Sequence, residues 1–481
     1  MTSDAQRSYS LAQQLAQFCA DSQLHSQFPD SALQLAELAI ADTVGCMLAG
    51  VDDPATVKLG KTIPEQTQAF HKSASVRHMR PISARDAAAI NGCAAHAREL
   101  DDNVMPGILH SSAVLTPALF AVSEEIGASA LDLVRAFIVG KEVHARIGQL
   151  INPHHYQLGW HTNSTIGVFG AAAACATLLR LDAQQISNAL SLAFSMAGGS
   201  KLQFGFDAKP LHCGLAAEHG VWAAQLAQHG MLAHPDPLQG RWSLQDLYTR
   251  GDSQPIHAAR LFPEEPLAVE AYPPVTKLYP CCGSAHLGID ALRLLQSRHH
   301  FAAEDVAGVD IHLPEVMMAN LRYAFPEDEK QARFSMHYCA AVTLAHGMPR
   351  LGHFSPAALA NMEPPVARLL SAVHVQRREV TPEVLAKNLI FIGDCRVEIH
   401  LRNGERFAHV AEHPKGCSDN PLTAEERRQK FIDCASPRLG REVALTIYAE
   451  LLELRHLRSI ANVTSSLRRP SSDWPRELAA W

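Results

Sequence analysis

The sequence lacks the basic runs that bind nucleic acids and the long apolar segments that cross membranes. Its 481 residues contain 42 Lys and Arg against 49 Asp and Glu, a formal net charge of −7 at pH 7. Because no basic stripe is present to follow a phosphate backbone, we expect no nucleic-acid partner. The longest segment free of Asp, Glu, Lys and Arg, residues 147–179, begins with histidines and ends in an alanine run. This pattern favours a core helix, and we expect no membrane contact.

The sequence also lacks the motifs of nucleotide and metal sites. It contains no G-x-G-x-x-G, no P-loop, no H-E-x-x-H and no G-x-S-x-G elbow. Its eleven cysteines include the pair Cys281-Cys282 but no Cys-x-x-Cys, so no zinc site of the usual spacing is expected. Scattered cysteines, and no apolar segment after Met1, predict a reduced, cytoplasmic protein without a secretory signal. We therefore predict a reaction carried out by side chains alone, without a metal or organic cofactor.

Helical periodicity dominates the first half of the chain. Alanine-rich segments repeat apolar residues every three to four positions, which is typical of helices that pack closely. These segments are residues 31–48, 84–97, 115–126, 131–150, 165–179, 183–196 and 212–229. They predict a compact all-helical bundle.

Strand-like runs follow in the second half. They cover residues 306–313, 396–401 and 407–411, and Asn403-Gly404 between the last two indicates a hairpin. A chain of this length is expected to form at least two cores. We predict a mostly α protein with a smaller α+β domain. Its three parts are a helical bundle at residues 1–264, an α+β lid at residues 265–410, and C-terminal helices at residues 411–481 that return to the bundle.

An acidic segment is the first candidate site. Glu99, Asp101 and Asp102 lie at the end of a predicted helix, and His110 follows them. Closely set carboxylates raise one another's pKa, which makes a general acid or base near neutrality. The same residues could form a solvated helix end. With His96 they could also serve a metal-dependent lyase, although their spacing matches no known ligand pattern.

Three further candidates lie near predicted helix starts. His161 precedes a small-residue helix, where a helix N-terminus lowers an imidazole pKa. Lys209 precedes a long alanine-rich helix and could bind a carboxylate or stabilise an enolate. Cys282, five residues after Lys277, could be a reactive thiol. The structural alternatives are an N-cap region, an exposed lysine and two small buried cysteines.

Six motifs, taken in order, resemble the MmgE/PrpD family. They are Glu99-Leu-Asp-Asp followed by Pro-Gly and His-Ser, Gly159-Trp-His-Thr-Asn-Ser, Lys209-Pro-Leu-His-Cys-Gly-Leu-Ala-Ala, Lys277-Leu-Tyr-Pro-Cys-Cys-Gly-Ser-Ala-His, Ala332-Arg-Phe-Ser-Met-His-Tyr, and Pro414-Lys-Gly with Asn420-Pro-Leu. The resemblance covers residues 8–460. It implies a helical domain and an α+β lid, a homodimer, an active site between the domains, and no metal or organic cofactor.

The resemblance also implies a small di- or tricarboxylate substrate. The family includes 2-methylcitrate dehydratase, cis-aconitate decarboxylase and iminodisuccinate epimerase. We expect a hydro-lyase that dehydrates a 2-methylcitrate-like acid, with epimerisation of an iminodisuccinate-like dicarboxylate or decarboxylation of cis-aconitate as alternatives. A protein that only binds carboxylates also stays open. The decarboxylase branch has a histidine about where Cys282 stands here, and Cys282 resembles the epimerase and other bacterial branches.

Family roles carry over to named positions in this sequence. The resemblance implies catalytic roles for His161, His110, Lys209, Lys277, Asp101 and Cys282, and substrate binding by Glu99, Asp102, Tyr279 and His286. The shared step would remove a proton from a carbon next to a carboxylate, with the lysines stabilising the resulting dianion. Which of His110, His161 and His286 is the base stays open.

Overall fold

The computed structural model describes residues 9–25, 28–64, 71–251, 266–381 and 393–468. The predicted domain boundary at residues 264–265 lies outside these ranges. The described chain confirms the predicted fold class, because a large set of packed helices is joined to a smaller α+β unit.

Alanine-rich helices form the larger unit. They are Leu11–His25, Asp30–Ala49, Pro54–Lys61, Ala84–Ala97, Ser111–Ile126, Ala130–Ile151, His154–Gln157, Thr162–Thr165, Gly167–Leu178, Ala183–Phe194, Ala208–Gln228, Leu244–Tyr248 and Ala268–Ala271. Polar side chains begin several of them: Ser83 accepts a hydrogen bond from the Asp86 backbone N–H, and Ser129 accepts one from that of Asp132. The helix predicted at residues 165–179 is divided at Ile166.

Close packing of two helices sets the position of the candidate site. A Cβ on Gly214 would lie 2.4 Å from the carbonyl oxygen of Ala89, and one on Gly92 would lie 2.9 Å from that of Cys213. Only glycine allows the backbones of Ala84–Ala97 and Ala208–Gln228 to approach this closely. The C-terminal end of the first helix therefore lies beside the N-terminal turn of the second.

A four-stranded sheet forms the core of the smaller unit. Its strands are β1 (Val306–Pro314), β2 (Val373–Arg378), β3 (Cys395–Leu401) and β4 (Arg406–Ala411), in the order β2-β1-β3-β4. β1 pairs parallel to β2 and antiparallel to β3, and β3 pairs antiparallel to β4 through the Asn-Gly turn. The helices of this unit are His286–His299, Glu315–Asn320, Glu329–Ala332, Met336–His346, Pro356–Ala360 and Pro364–Ala372.

The chain returns to the helical unit after the sheet. The helices Ala424–Leu439, Arg441–Leu452 and Ala461–Leu467 contribute Phe431, Ile447 and other apolar residues to the core formed by the first half. In the described residues, the helix Asp30–Ala49 is long and apolar enough to cross a membrane, but most of it is buried against its neighbours. Core helices of water-soluble proteins pass the same test.

Candidate active site

A pocket of about 770 Å³, including its open mouth, lies between the two units. The helical unit contributes Glu99, Asn103, Val104, Met105, Ile108, His110, Tyr156, His161, Asn163, Phe204 and Lys209 to its lining. The α+β unit contributes Cys282, Gly283, Ser284, Val316, Met317, Asn320 and Phe334. Apolar walls with a few convergent polar groups are typical of small-molecule sites.

Two lysines and two carboxylates form a buried network beside the pocket. Lys209 lies in the first turn of its helix, one turn earlier than the sequence predicts, and its Nζ bonds to Glu99. Lys277 is fully buried, with its Nζ 3.6 Å from Glu99 Oε2 and 3.5 Å from Asp101 Oδ1. Burial alone would raise the pKa of Glu99, but Lys209, His96 and Lys277 lower it to about 2. Glu99 is therefore a carboxylate at neutral pH.

His96 links Lys209 to Asp101 within this network. Its Nδ1 lies 2.6 Å from Asp101 Oδ2 and its Nε2 lies 2.7 Å from Lys209 Nζ. An ammonium only donates and an ionised carboxylate only accepts, so Nδ1 carries the proton and Nε2 accepts from the lysine. Burial would raise the pKa of Asp101, but the Lys277 ammonium and the hydrogen bond from His96 hold it well below the usual value. Asp101 is therefore an ionised carboxylate, and it orients the His96 ring.

His110 lines the pocket with a defined tautomer. Its Nδ1 lies 2.7 Å from the backbone carbonyl oxygen of Asp102. A carbonyl only accepts, so Nδ1 carries the proton and Nε2 has the free lone pair. Burial holds the pKa of His110 well below its ordinary value, despite the opposing effect of Asp101. His110 is therefore a neutral imidazole that can accept a proton at Nε2.

His161 is the second imidazole in the pocket. Its Nδ1 lies 2.7 Å from Nδ1 of His212, so one of the two rings donates and the other accepts. Phe204 packs edge-on against the His161 ring. Burial, followed by His212 and Lys209, lowers the pKa of His161 well below its usual value. His161 is also neutral, but its tautomer is set by another titratable ring rather than by a fixed carbonyl.

Cys282 lies on the opposite wall, 8% exposed, in the α+β unit. Burial, and then the Glu99 carboxylate, raise the pKa of its thiol. Cys282 therefore keeps its proton at neutral pH. Nearby, the Tyr156 hydroxyl donates to Asn320 Oδ1 at 3.1 Å, and Asn320 Nδ2 donates to Ser284 Oγ at 3.1 Å.

The predicted site residues separate into three positions. Glu99, His110, His161, Lys209 and Cys282 line the pocket. Asp101 and Lys277 lie directly behind it and bond to the lining residues. The structure does not bring Asp102, Tyr279 and His286 to the pocket, because Asp102 bonds Ser112, Tyr279 bonds Asp290 and Arg293, and His286 bonds the carbonyl of Cys281.

Several polar residues of the site were absent from the predicted set. Asn163 accepts from the His110 backbone N–H at 2.9 Å and lies two positions after His161, inside a motif already recognised. Tyr156 follows His154 and His155 and lies outside the six motifs. Asn320 lies in no motif, and no sequence pattern predicts its place in the pocket.

Metal-binding donors occur at two places in the described residues. The groups His96, Asp101 and Cys213, and His96, Glu99 and His110, each bring three donor atoms within 4.8 Å of one another. Lys209 Nζ already bonds both Glu99 and His96. A metal ion bound to His96, Glu99 and His110 would have to displace this ammonium, so these donors fit the lysine better than a metal ion. A surface group, His413, Cys417 and Asp419, lies away from the pocket.

Asp102 belongs to a second buried pair, and its partner offers a stability test. Its carboxylate accepts from Ser112 Oγ at 2.5 Å, and Lys141, fully buried, has no hydrogen-bond partner for its Nζ in the described residues. Burial raises the pKa of Asp102 to about 6 despite Lys141, and lowers that of Lys141 to about 8. The two charges compensate each other in a region of low dielectric.

At about pH 7 both groups are charged, because this pH lies between the two pKa values. Lys141→Met is expected to lower the free energy of unfolding there by about 1–3 kcal/mol, less than for a fixed charge, because Asp102 can take a proton. A raised carboxyl pKa contributes stability at low pH that is lost as pH rises through about 6. Without Lys141 that pKa rises further, so the deficit should shrink at about pH 5. Thermal unfolding at both pH values measures this loss of stability. The double variant Lys141→Met with Asp102→Asn should recover most of the lost free energy of unfolding. An equal loss at both pH values would contradict the pairing.

Fold and site together define an enzyme whose pocket combines neutral imidazoles, a protonated thiol, and a lysine held by one carboxylate and one imidazole. The chain belongs to the MmgE/PrpD family. The MmgE/PrpD N-terminal domain matches residues 13–257 and the MmgE/PrpD C-terminal domain matches residues 279–454.

Curated relatives of this chain carry one activity in their names. Cis-aconitate decarboxylase of Mus musculus is 29% identical over 403 residues, covering 80% of this chain and 78% of that protein. A cis-aconitate decarboxylase-like protein of Aspergillus oryzae is 27% identical over 453 residues, covering 89% and 91%. Cis-aconitate decarboxylase of Aspergillus terreus is 26% identical over 468 residues, covering 92% and 93%.

Proposed function

We propose that this protein is a lyase that moves a proton at a carbon next to a carboxylate of a small tricarboxylate, without a metal or organic cofactor. One observation carries the proposal: Lys209, fixed by Glu99 and His96, lines the same pocket as the neutral imidazoles of His110 and His161. A carbon acid of this kind is weak, so its reaction needs both a base and a cation at the developing oxyanion.

Dehydration of a 2-methylcitrate-like acid is the net reaction that we propose first. His110 takes the proton from the carbon next to a carboxylate, and the electron pair forms an aci-carboxylate beside Lys209. The pair then forms the carbon–carbon double bond as the β carbon–oxygen bond breaks, and the hydroxyl leaves as water with a proton from an acid. Cys282, whose pKa is raised, is a lining residue that holds such a proton. The carboxylates cannot supply it, because Glu99 and Asp101 are ionised.

Decarboxylation of a cis-aconitate-like acid is the second candidate, and the names of the relatives favour it. Here the bond to a departing carboxylate breaks and releases carbon dioxide. Its electron pair forms a new double bond, while the former alkene carbon takes a proton. Lys209 would stabilise the same kind of dianion. The two reactions differ in their proton transfers. Dehydration begins when a residue of the pocket accepts a proton from the substrate, whereas decarboxylation requires a residue of the pocket to donate one.

Proton NMR in D2O separates these reactions. EDTA-treated protein is incubated in separate samples with 2-methylcitrate, citrate, cis-aconitate, and an imino- or aminodicarboxylate. A new alkene signal from a hydroxy acid indicates dehydration, and loss of one carbon from cis-aconitate indicates decarboxylation. Deuterium exchange without a net product indicates epimerisation. Binding by calorimetry with no exchange in any sample would contradict the proposed function and favour a carboxylate-binding protein.

A further inference from the structure

The buried lysines of the pocket are already balanced by carboxylates. Lys209 bonds Glu99, and Lys277 lies within 3.6 Å of both Glu99 and Asp101. Two cations and two anions leave this cluster with no net charge. A substrate with two or three carboxylates therefore needs additional positive charge, because a desolvated carboxylate without a partner is costly.

Lys201 is a buried cation next to the pocket, with no anionic partner among the residues that the structure describes. The residue is 9% exposed, and its Nζ lies 3.7 Å from the centre of the Tyr156 ring, which lines the pocket. It forms no ion pair in the described ranges of the chain. Burial lowers the pKa of Lys201 to about 8, with Cys282 acting to raise it and Arg322 to lower it. An ammonium that lies against an aromatic face and forms no ion pair within the described residues is a site that an anion would stabilise.

Arg322, in the α+β unit, is a second cation close to Lys201. Its Nη2 donates to the carbonyl oxygen of Lys201 at 2.6 Å, and its guanidinium lies 6.0 Å from the Phe204 ring. Arg322 is exposed and forms no ion pair with an acid among the described residues. Lys201 and Arg322 therefore place unbalanced positive charge where the helical and α+β units meet.

We propose that Lys201 and Arg322 form a second carboxylate subsite, which binds the substrate carboxylate farthest from Lys209 and selects tricarboxylates over dicarboxylates. The proposal rests on the proposed function in one respect, namely that the ligand is a small polycarboxylate. An anion between the two cations would relieve the desolvation of Lys201 and bridge the two units of the fold. A purely structural cation–π contact with Tyr156 predicts no dependence on ligand charge.

Calorimetry with unreactive acids tests the subsite without requiring turnover. Tricarballylate is the tricarboxylate probe and succinate is the dicarboxylate probe. Lys201→Met is expected to weaken tricarballylate binding by about tenfold or more and succinate binding by less than about twofold, as for loss of one hydrogen bond to a charged group. Lys201→Arg should keep tricarballylate binding within about threefold. Arg322→Met should weaken the same ligand selectively.

The controls distinguish loss of the subsite from loss of folded structure and from failure of the proposed reaction. Lys61→Met removes an exposed lysine at the end of Pro54–Lys61 and should change neither affinity. Thermal unfolding midpoints of all variants exclude a loss of structure. Equal weakening of both ligands, or no weakening of either, would overturn the subsite. Selective weakening in a protein that turns over no acid would uphold the subsite and reject the proposed reaction.

Discussion

Lys209→Met is expected to lower kcat for the proposed reaction by about 100- to 1,000-fold. Lys209 is the cation among the pocket-lining residues, and its Nζ is fixed by Glu99 and His96. Such a donor acts on charge that develops only in the transition state, so most of the loss should appear in kcat rather than in KM. Steady-state kinetics on the acid identified by NMR measure both constants.

Two comparisons make this result specific. Lys61→Met carries the same chemical change on an exposed lysine and should retain full activity. Lys277→Met removes a cation that lies behind Glu99 and does not line the pocket. It should therefore also disturb stability, which unfolding midpoints report. A Lys209→Met variant with unchanged kcat and a raised KM would assign Lys209 to substrate binding alone.

The helical unit could be predicted because its pattern is local. Apolar periodicity over a few turns predicts a helix at residues 31–48, and the structure has one at Asp30–Ala49. The Asn-Gly turn similarly predicts the pairing of β3 with β4, because two residues determine that turn. In each case the interactions that fix the element lie within a short span of sequence.

The roles within the acidic segment could not be predicted, because they depend on distant partners. Glu99 has a left-handed backbone, φ +54°, and lies just beyond Arg98, the residue that caps the helix Ala84–Ala97. Its carboxylate contacts lysines 110 and about 180 positions along the chain. Asp101 meets His96 and Lys277, whereas Asp102 turns to Ser112. Three carboxylates that are close in sequence thus have three different sets of partners, and no local sequence pattern predicts which carboxylate has which set.

The pKa directions follow from the same long-range contacts. Sequence reasoning predicts that clustered carboxylates raise one another's pKa. The pKa of Asp102 is raised, but burial is the main cause, and the neighbouring carboxylates contribute less. Glu99 and Asp101 shift the other way, because lysines and histidines from other elements outweigh both burial and like charge. Glu99 and Asp101 are therefore counter-charges for Lys209 and Lys277 rather than proton donors.

His110→Asn is expected to lower kcat by about 100- to 10,000-fold, because it removes the proposed general base. The carbonyl of Asp102 fixes the His110 tautomer, so the free lone pair is at Nε2. The neutral ring is the active form, and burial holds its pKa well below the ordinary value. As pH falls, activity should therefore persist through about pH 6.5 and decline only as the lowered pKa is reached. Stopped assays at a series of pH values measure this decline of activity at low pH.

His161 provides the comparison that identifies the base. Its partner is the titratable ring of His212, so either tautomer is accessible, and His161→Asn should reduce kcat less than His110→Asn does. His229→Asn, on an exposed histidine, is the matched control and should leave the pH profile unchanged. If the decline of activity at low pH disappears in His161→Asn and remains in His110→Asn, His161 is the base. His110 would then be a positioning residue, linked through its backbone to Asn163.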